Sequence, residues 1–177
     1  MKLTNKIALI STLGCLALVG TGFAAYVYSA GADKTGSASV VGAGKSTAAG
    51  VVDVTIANGS GITLDSIKVG GVQTLVDGKI QSIATWNENS AAKAKFTPAA
   101  GNNADTSYMT RTYTVTMTNN VYVSLSGTVS GNWTDNTAVT LPTLVCDQTK
   151  APQTPAEYDT MANVLAGVTI TFTFTIA

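Results

Sequence analysis

From residue 168 to 176 the chain reads Val-Thr-Ile-Thr-Phe-Thr-Phe-Thr-Ile. Successive side chains of an extended strand point to opposite faces, so this alternation puts Val168, Ile170, Phe172, Phe174 and Ile176 on one side and the threonines on the other. A helix would scatter both sets around its circumference. The run predicts a strand with one face in an apolar core and a hydroxyl-covered face turned outward.

The same period recurs upstream. Val52, Val54 and Ile56 alternate with Asp53 and Thr55 up to the turn pair Asn58-Gly59, and strand-like runs at 62–69, 72–76 and 80–86 are separated by Gly70-Gly71 and Asp77-Gly78. Tyr113, Val115 and Met117 share a face against Thr112, Thr114, Thr116 and Thr118. Asn119-Asn120 then interrupts before Val121, Val123 and Leu125. Those two runs read either as a hairpin or as one strand with a bulge. A further strand is expected over 138–141, closed by Pro142. The stretch 87–105 reads mainly as a surface connection with a brief helix over 90–95, and two helical turns are expected over 156–165. At least seven short strands with glycine and asparagine turns imply an all-β fold, an antiparallel β-sandwich of jelly-roll type.

The first 25 residues explain where such a domain goes. Lys2 and Lys6 precede an uncharged apolar run, the order of a secretory signal. A retained anchor is the competing reading, because 7–28 exceeds the roughly 18–20 apolar residues that cross a bilayer. Gly14, Gly20 and Gly22 with Ala24 and Ala25 favour cleavage, and a lipid-attachment signal at Cys15 fits less well. Membrane contact is then confined to export. Cleavage leaves about 150 residues, enough for one core that takes roughly two-thirds of the unfolded surface out of water. Residues 26–45 form an extended, glycine-punctuated segment poor in large apolar groups, with the β-sandwich domain over 46–177. Cys146 is then the one remaining cysteine, with no partner for an internal disulfide, and its apolar neighbours mark it as a small buried residue.

The composition argues against chemistry. The chain has no histidine, which removes His-dependent triads and H-E-x-x-H metal sites, and no cofactor is expected. Ten basic and ten acidic residues balance, and losing Lys2 and Lys6 leaves a net charge near minus two. No cationic stripe exists to bind nucleic acid. Gly42-Ala43-Gly44-Lys45-Ser46 matches the end of a phosphate-binding loop but has Ser39 where the first glycine belongs. The aspartates are scattered without a D-x-D-x-D-G loop, which leaves only a calcium site assembled across loops. Asn58-Gly59-Ser60 and Asn132-Trp133-Thr134 match the acceptor pattern for N-linked sugar at Asn58 and Asn132.

The segment Ala17-Leu18-Val19-Gly20-Thr21-Gly22-Phe23-Ala24-Ala25-Tyr26 resembles the export signal and cleavage region of the TasA and camelysin family of secreted fibre proteins, and the run from Tyr113 to Asn120 is similar to that family's strand entering an asparagine turn. The Thr-rich mature chain would also suit archaeal bundling pilins, which look like members of the same structural class. The resemblance implies a cut after Ala25 and an extracellular, cell-surface filament of copies of this chain, with filament–filament bundling, serving biofilm matrix and cell–cell adhesion. Each subunit would lend its leading strand to an open groove in the next. Donor contacts are then expected from Tyr26, Val27, Tyr28, Val40 and Val41, with Val168, Ile170, Phe172, Phe174 and Ile176 walling the groove. Some relatives are labelled peptidases, an activity for which this sequence supplies no histidine ligand. The alternative function is a monomeric carbohydrate-binding or S-layer-associated module gripping a glycan near Trp86 or Trp133.

Overall fold

The computed structural model describes residues 36–57, 61–66, 68–69, 72–73, 75–101 and 109–177; residues 1–25, expected to be an export signal, and Tyr26, Val27, Tyr28 and Asn58 lie outside them. In chain order the elements are β1 (Gly36–Gly44), β2 (Gly50–Ile56), β3 (Ile62–Ser66), β4 (Lys68–Val69), β5 (Val72–Gln73), β6 (Leu75–Val76), β7 (Lys79–Ile80), β8 (Ser82–Trp86), β9 (Ala92–Pro98), β10 (Arg111–Met117), β11 (Val123–Ser126), β12 (Ser130–Asn132), β13 (Thr143–Cys146), the helix α1 (Pro155–Ala166) and β14 (Thr169–Ile176). Among the described residues the fold is mostly β, rich in antiparallel pairing, with one short α-helix.

The terminal strand organises it. β14 sits inside a six-stranded sheet of order β12-β10-β14-β1-β3-β8. Ile170, Phe172 and Phe174 are completely buried on its inner face. Its threonines face outward beside those of β10, in register as Thr112 with Thr175, Thr114 with Thr173 and Thr116 with Thr171. The Thr112 and Thr175 hydroxyls are 2.8 Å apart, so the outer face satisfies part of its own hydrogen bonding. On β1 the outward residues beside these columns are Ser39, Val41 and Ala43.

Across the inner face lies the ribbon β2–β9, paired from Gly50 with Pro98 to Ile56 with Ala92. Its Val52, Ala92, Ala94 and Phe96 join the same buried cluster. Arg111 binds the ribbon to the sheet: its guanidinium lies 2.9 Å from the Asp135 carboxylate and stacks 5.8 Å from the Phe96 ring and 5.1 Å from Trp133. Asp135 also accepts the Phe96 N–H at 2.9 Å. α1 starts at a reciprocal cap. Thr154 accepts the Glu157 N–H, Glu157 accepts the Thr154 N–H, and Pro155 occupies the first turn, where a missing N–H costs nothing. The helix buries Tyr158, Met161 and Leu165, and the Tyr158 hydroxyl donates to the Leu64 carbonyl at 3.2 Å.

Several local expectations change. Residues 90–95 do not form a helix. Most of them belong to β9, where Ala92, Ala94 and Phe96 are buried and alternate with Lys93, Lys95 and Thr97, because pairing with β2 outweighs the helix propensity of Ala and Lys. β10 and β11 are neither a hairpin nor one bulged strand. Asn120 Oδ1 accepts the N–H groups of Tyr122 and Val123, turning the chain so that β11 pairs with β13 instead. Residues 138–141 are not a strand; β13 follows Pro142. Asp77-Gly78 does make the expected tight turn, both residues having positive φ, 51° and 72°. Opposite the six-stranded sheet the described residues form two-stranded ribbons rather than one continuous second sheet.

Candidate functional site

The feature of this fold with the clearest capacity to do something is the slot that β1 fills. Its sequence, Gly-Ser-Ala-Ser-Val-Val-Gly-Ala-Gly, has weak strand propensity, so its neighbours impose its conformation. The first part of β1 pairs antiparallel with β3, Gly36 with Leu64 through Ala38 with Ile62. The second part pairs parallel with β14, Ser39 with Thr169 through Gly44 with Phe174. The ends of that parallel run are fixed by Ser39 N–H donating to the Val168 carbonyl at 3.1 Å and Lys45 N–H donating to the Phe174 carbonyl at 2.9 Å. β14 and β3 do not pair with each other. Taking β1 away divides the sheet into β12-β10-β14 and β3-β8, each with a bare edge.

β1 contributes little side-chain mass to the core it bridges. Ala38 is buried, Val40 is half-buried, and Val41 faces outward at 42% exposure. Space above the strand explains the small residues. A β-carbon on Gly42 would run into Val54 and Ile56, and one on Gly44 would meet the Val52 carbonyl. The exit is a short exposed turn over 45–49, tied by the Thr47–Gly50 bridge, with Lys45 and Ser46 exposed on it. The sequence resembling a phosphate loop is therefore a strand end beneath β2.

Other expected site residues have different surroundings. Val40 and Val41, expected to leave the subunit, are paired within their own chain in this structure, so the described part of the sheet includes Gly36–Gly44. Val168, Ile170, Phe172, Phe174 and Ile176 are core side chains; what β14 offers β1 is its backbone edge. Trp133 is buried, edge-on to Phe174 at 5.8 Å, with its indole N–H donated to the Thr175 carbonyl at 3.1 Å. Trp86 lies 6.2 Å from Phe172 and donates to the Pro142 carbonyl at 2.8 Å. Trp133 is thus a core residue, while Trp86 is partly buried and packs against the core. Asn132 is exposed at the end of β12. Among the described residues, no cluster of three or more Cys, Asp or Glu is placed to hold a metal.

Two strand margins that sequence reading did not anticipate also matter. Even-numbered residues of β10 bond to β14, as Thr118 N–H to Thr169 O at 2.9 Å shows, so its odd-numbered residues face the other way. β12 covers those only as far as Val115, whose N–H meets the Val129 carbonyl at 2.7 Å. Beyond it an open groove of about 360 Å³ runs beside Met117, Asn120, Val123 and Leu125. The opposite margin, β8, is flanked by β13 and capped by side chains. No family model, curated protein or solved structure matches this chain.

Proposed function

We propose that this chain is the structural subunit of an extracellular filament, polymerising when its leading strand is given to a neighbouring copy and supporting a biofilm matrix and cell–cell adhesion. The observation that carries the reading is the β1 slot. Among the described strands, one thin in side chains and early in the fold, β1, is the only hydrogen-bonded link between two half-sheets. Such a strand can be replaced by the identical strand of another copy in the same register, because the bonds made are the same. Residues 45–49 act as the hinge that selects between the closed chain and the donated arm. Donor and acceptor are different surfaces, so each contact leaves one of each free and growth continues as a filament. Tyr26, Val27 and Tyr28, just ahead of β1, extend the donated arm. The jelly-roll description belongs to the same proposal, with the ribbons β2–β9 and β11–β13 as its second layer. The subunit has a scaffolding role and no catalytic one, in keeping with the leader-region resemblance to secreted fibre proteins.

The test places cysteines at Val41 and Thr171, directly opposed across β1 and β14, in a Cys146→Ala background. Oxidised native filaments should run as a ladder of covalent multimers on a non-reducing gel. Filaments giving only the single-chain band would show that β1 stays at home, and secreted protein that forms no filaments under the microscope would remove the reading altogether.

A further inference from the structure

The β8 margin of the sheet is closed in an unusual way. Asn87 N–H donates to the Gly61 carbonyl at 3.1 Å, and this parity turns Ile83 and Thr85 toward β3 and the main chain of Ser82 and Ala84 away from it. Among the described residues no strand forms a hydrogen-bonded ladder with that outward edge, although β13 lies beside its 84–86 end. Instead, Gln148 accepts the Ser82 N–H at 3.0 Å and donates to the Ser82 carbonyl at 2.9 Å. Gln153 does the same to Ile80, at 2.8 and 3.0 Å. A primary amide used this way presents one donor and one acceptor side by side, as the peptide of an adjacent strand would. The Ala84 N–H is met by the Cys146 sulfur. Three alternate residues of one edge are thus satisfied by side chains from a single stretch, 146–153.

We propose that Gln148 and Gln153 are specificity-determining residues for assembly: they imitate a neighbouring strand and so prevent a second copy of this chain from pairing along residues 80–84. The partner they exclude follows from the edge itself. Residues 80–86, Ile-Gln-Ser-Ile-Ala-Thr-Trp, are uncharged and contain no proline or glycine, and Ile83 is 44% exposed. A bare edge of this composition pairs readily with its own copy, antiparallel about Ser82. That contact is two-fold and self-closing, whereas the β1 contact propagates. The inference goes beyond the filament reading and does not depend on it.

The experiment compares the wild-type chain with Gln148→Met/Gln153→Met, which keeps side-chain length and removes both amides. Amide exchange at Ile80 and Ser82 should accelerate on the order of tenfold or more as the caps are lost. The solution mass should rise with concentration above that of the wild type. Adding Ile83→Lys to the double variant should bring the mass back down, because a charge on the edge blocks close pairing. Slow exchange at Phe172 reports that the core is folded; if the double variant fails that check, Gln148→Met alone is measured in the same way. A folded variant with rapidly exchanging Ile80 and Ser82 and unchanged mass overturns the proposal, as does unchanged protection of those amides. Filaments are scored separately by microscopy. Normal wild-type filaments with no added association in the variant would reject the cap and leave the filament reading standing; the opposite pair of results would do the reverse.

Discussion

Gly44→Ala and Gly42→Ala form a pair that tests how β1 is held. Neither glycine has a positive φ, so alanine fits both backbones, and reduced freedom of the unfolded chain alone would stabilise each variant by about 0.4–1 kcal/mol. Sterics oppose this to different degrees. At position 44 the new methyl meets the Val52 carbonyl, which belongs to a backbone locked to β9 by the register from Gly50–Pro98 to Ile56–Ala92. At position 42 it meets the side-chain tips of Val54 and Ile56, which can change rotamer. Overpacking costs about 1–3 kcal/mol. Net of the entropy gain, we therefore expect Gly44→Ala to lose about 2 kcal/mol, a fall in Tm of roughly 4–8 °C, and Gly42→Ala to lose less than about 1 kcal/mol, roughly 0–4 °C. Urea titration gives the free energies, and hydrogen exchange shows where the loss falls. Amides that join β1 to β14 should exchange faster in Gly44→Ala while those between β10 and β14 keep their protection. If Gly44→Ala is as stable as the wild type, or Gly42→Ala is the worse of the two, β2 does not press on β1 and the account of its small residues is wrong.

Burial pushes the Cys146 thiol up from its ordinary 9.0 to about 11, with the Ala84 N–H acting weakly the other way. The folded state therefore holds this proton where the unfolded state releases it. The contribution to stability is intact below pH 9 and is lost as pH rises toward 11. Iodoacetamide at pH 8 should label the native chain far more slowly than the urea-unfolded chain, and Cys146→Ala should flatten the alkaline limb of the stability curve. Tyr158→Phe removes a hydroxyl that donates to the buried Leu64 carbonyl and should cost about 1–1.5 kcal/mol by urea titration, with secondary structure unchanged.

Those elements whose side-chain pattern and tertiary role agree could be read directly. β14 alternates without a break, so its face assignment followed from sequence, and Asp77-Gly78 combines two residues that accept positive φ. α1 carries its boundary in the Thr154-Pro155-Ala156-Glu157 cap. β9 was obscured because Ala92, Lys93, Ala94 and Lys95 suit a helix as well as a strand, and only the presence of β2 decides between them. The fate of β11 depended on two side-chain bonds from Asn120. β1 was harder still. Its residues show that it gains little from packing, which suggested an arm that leaves, but they do not show that β3 and β14 each offer an edge to a different part of it. The amide caps of Gln148 and Gln153 join residues more than sixty positions apart in the chain and have no local signature.

The threonine columns of β10 and β14 have a consequence for the environment this protein can face. Their hydroxyls and methyls, with Ser39, Val41 and Ala43 alongside, include no group that gains or loses a proton in ordinary water. Brine does not screen such a surface and acid does not recharge it, so anything that adheres there should hold equally well in fresh, salt or sour water.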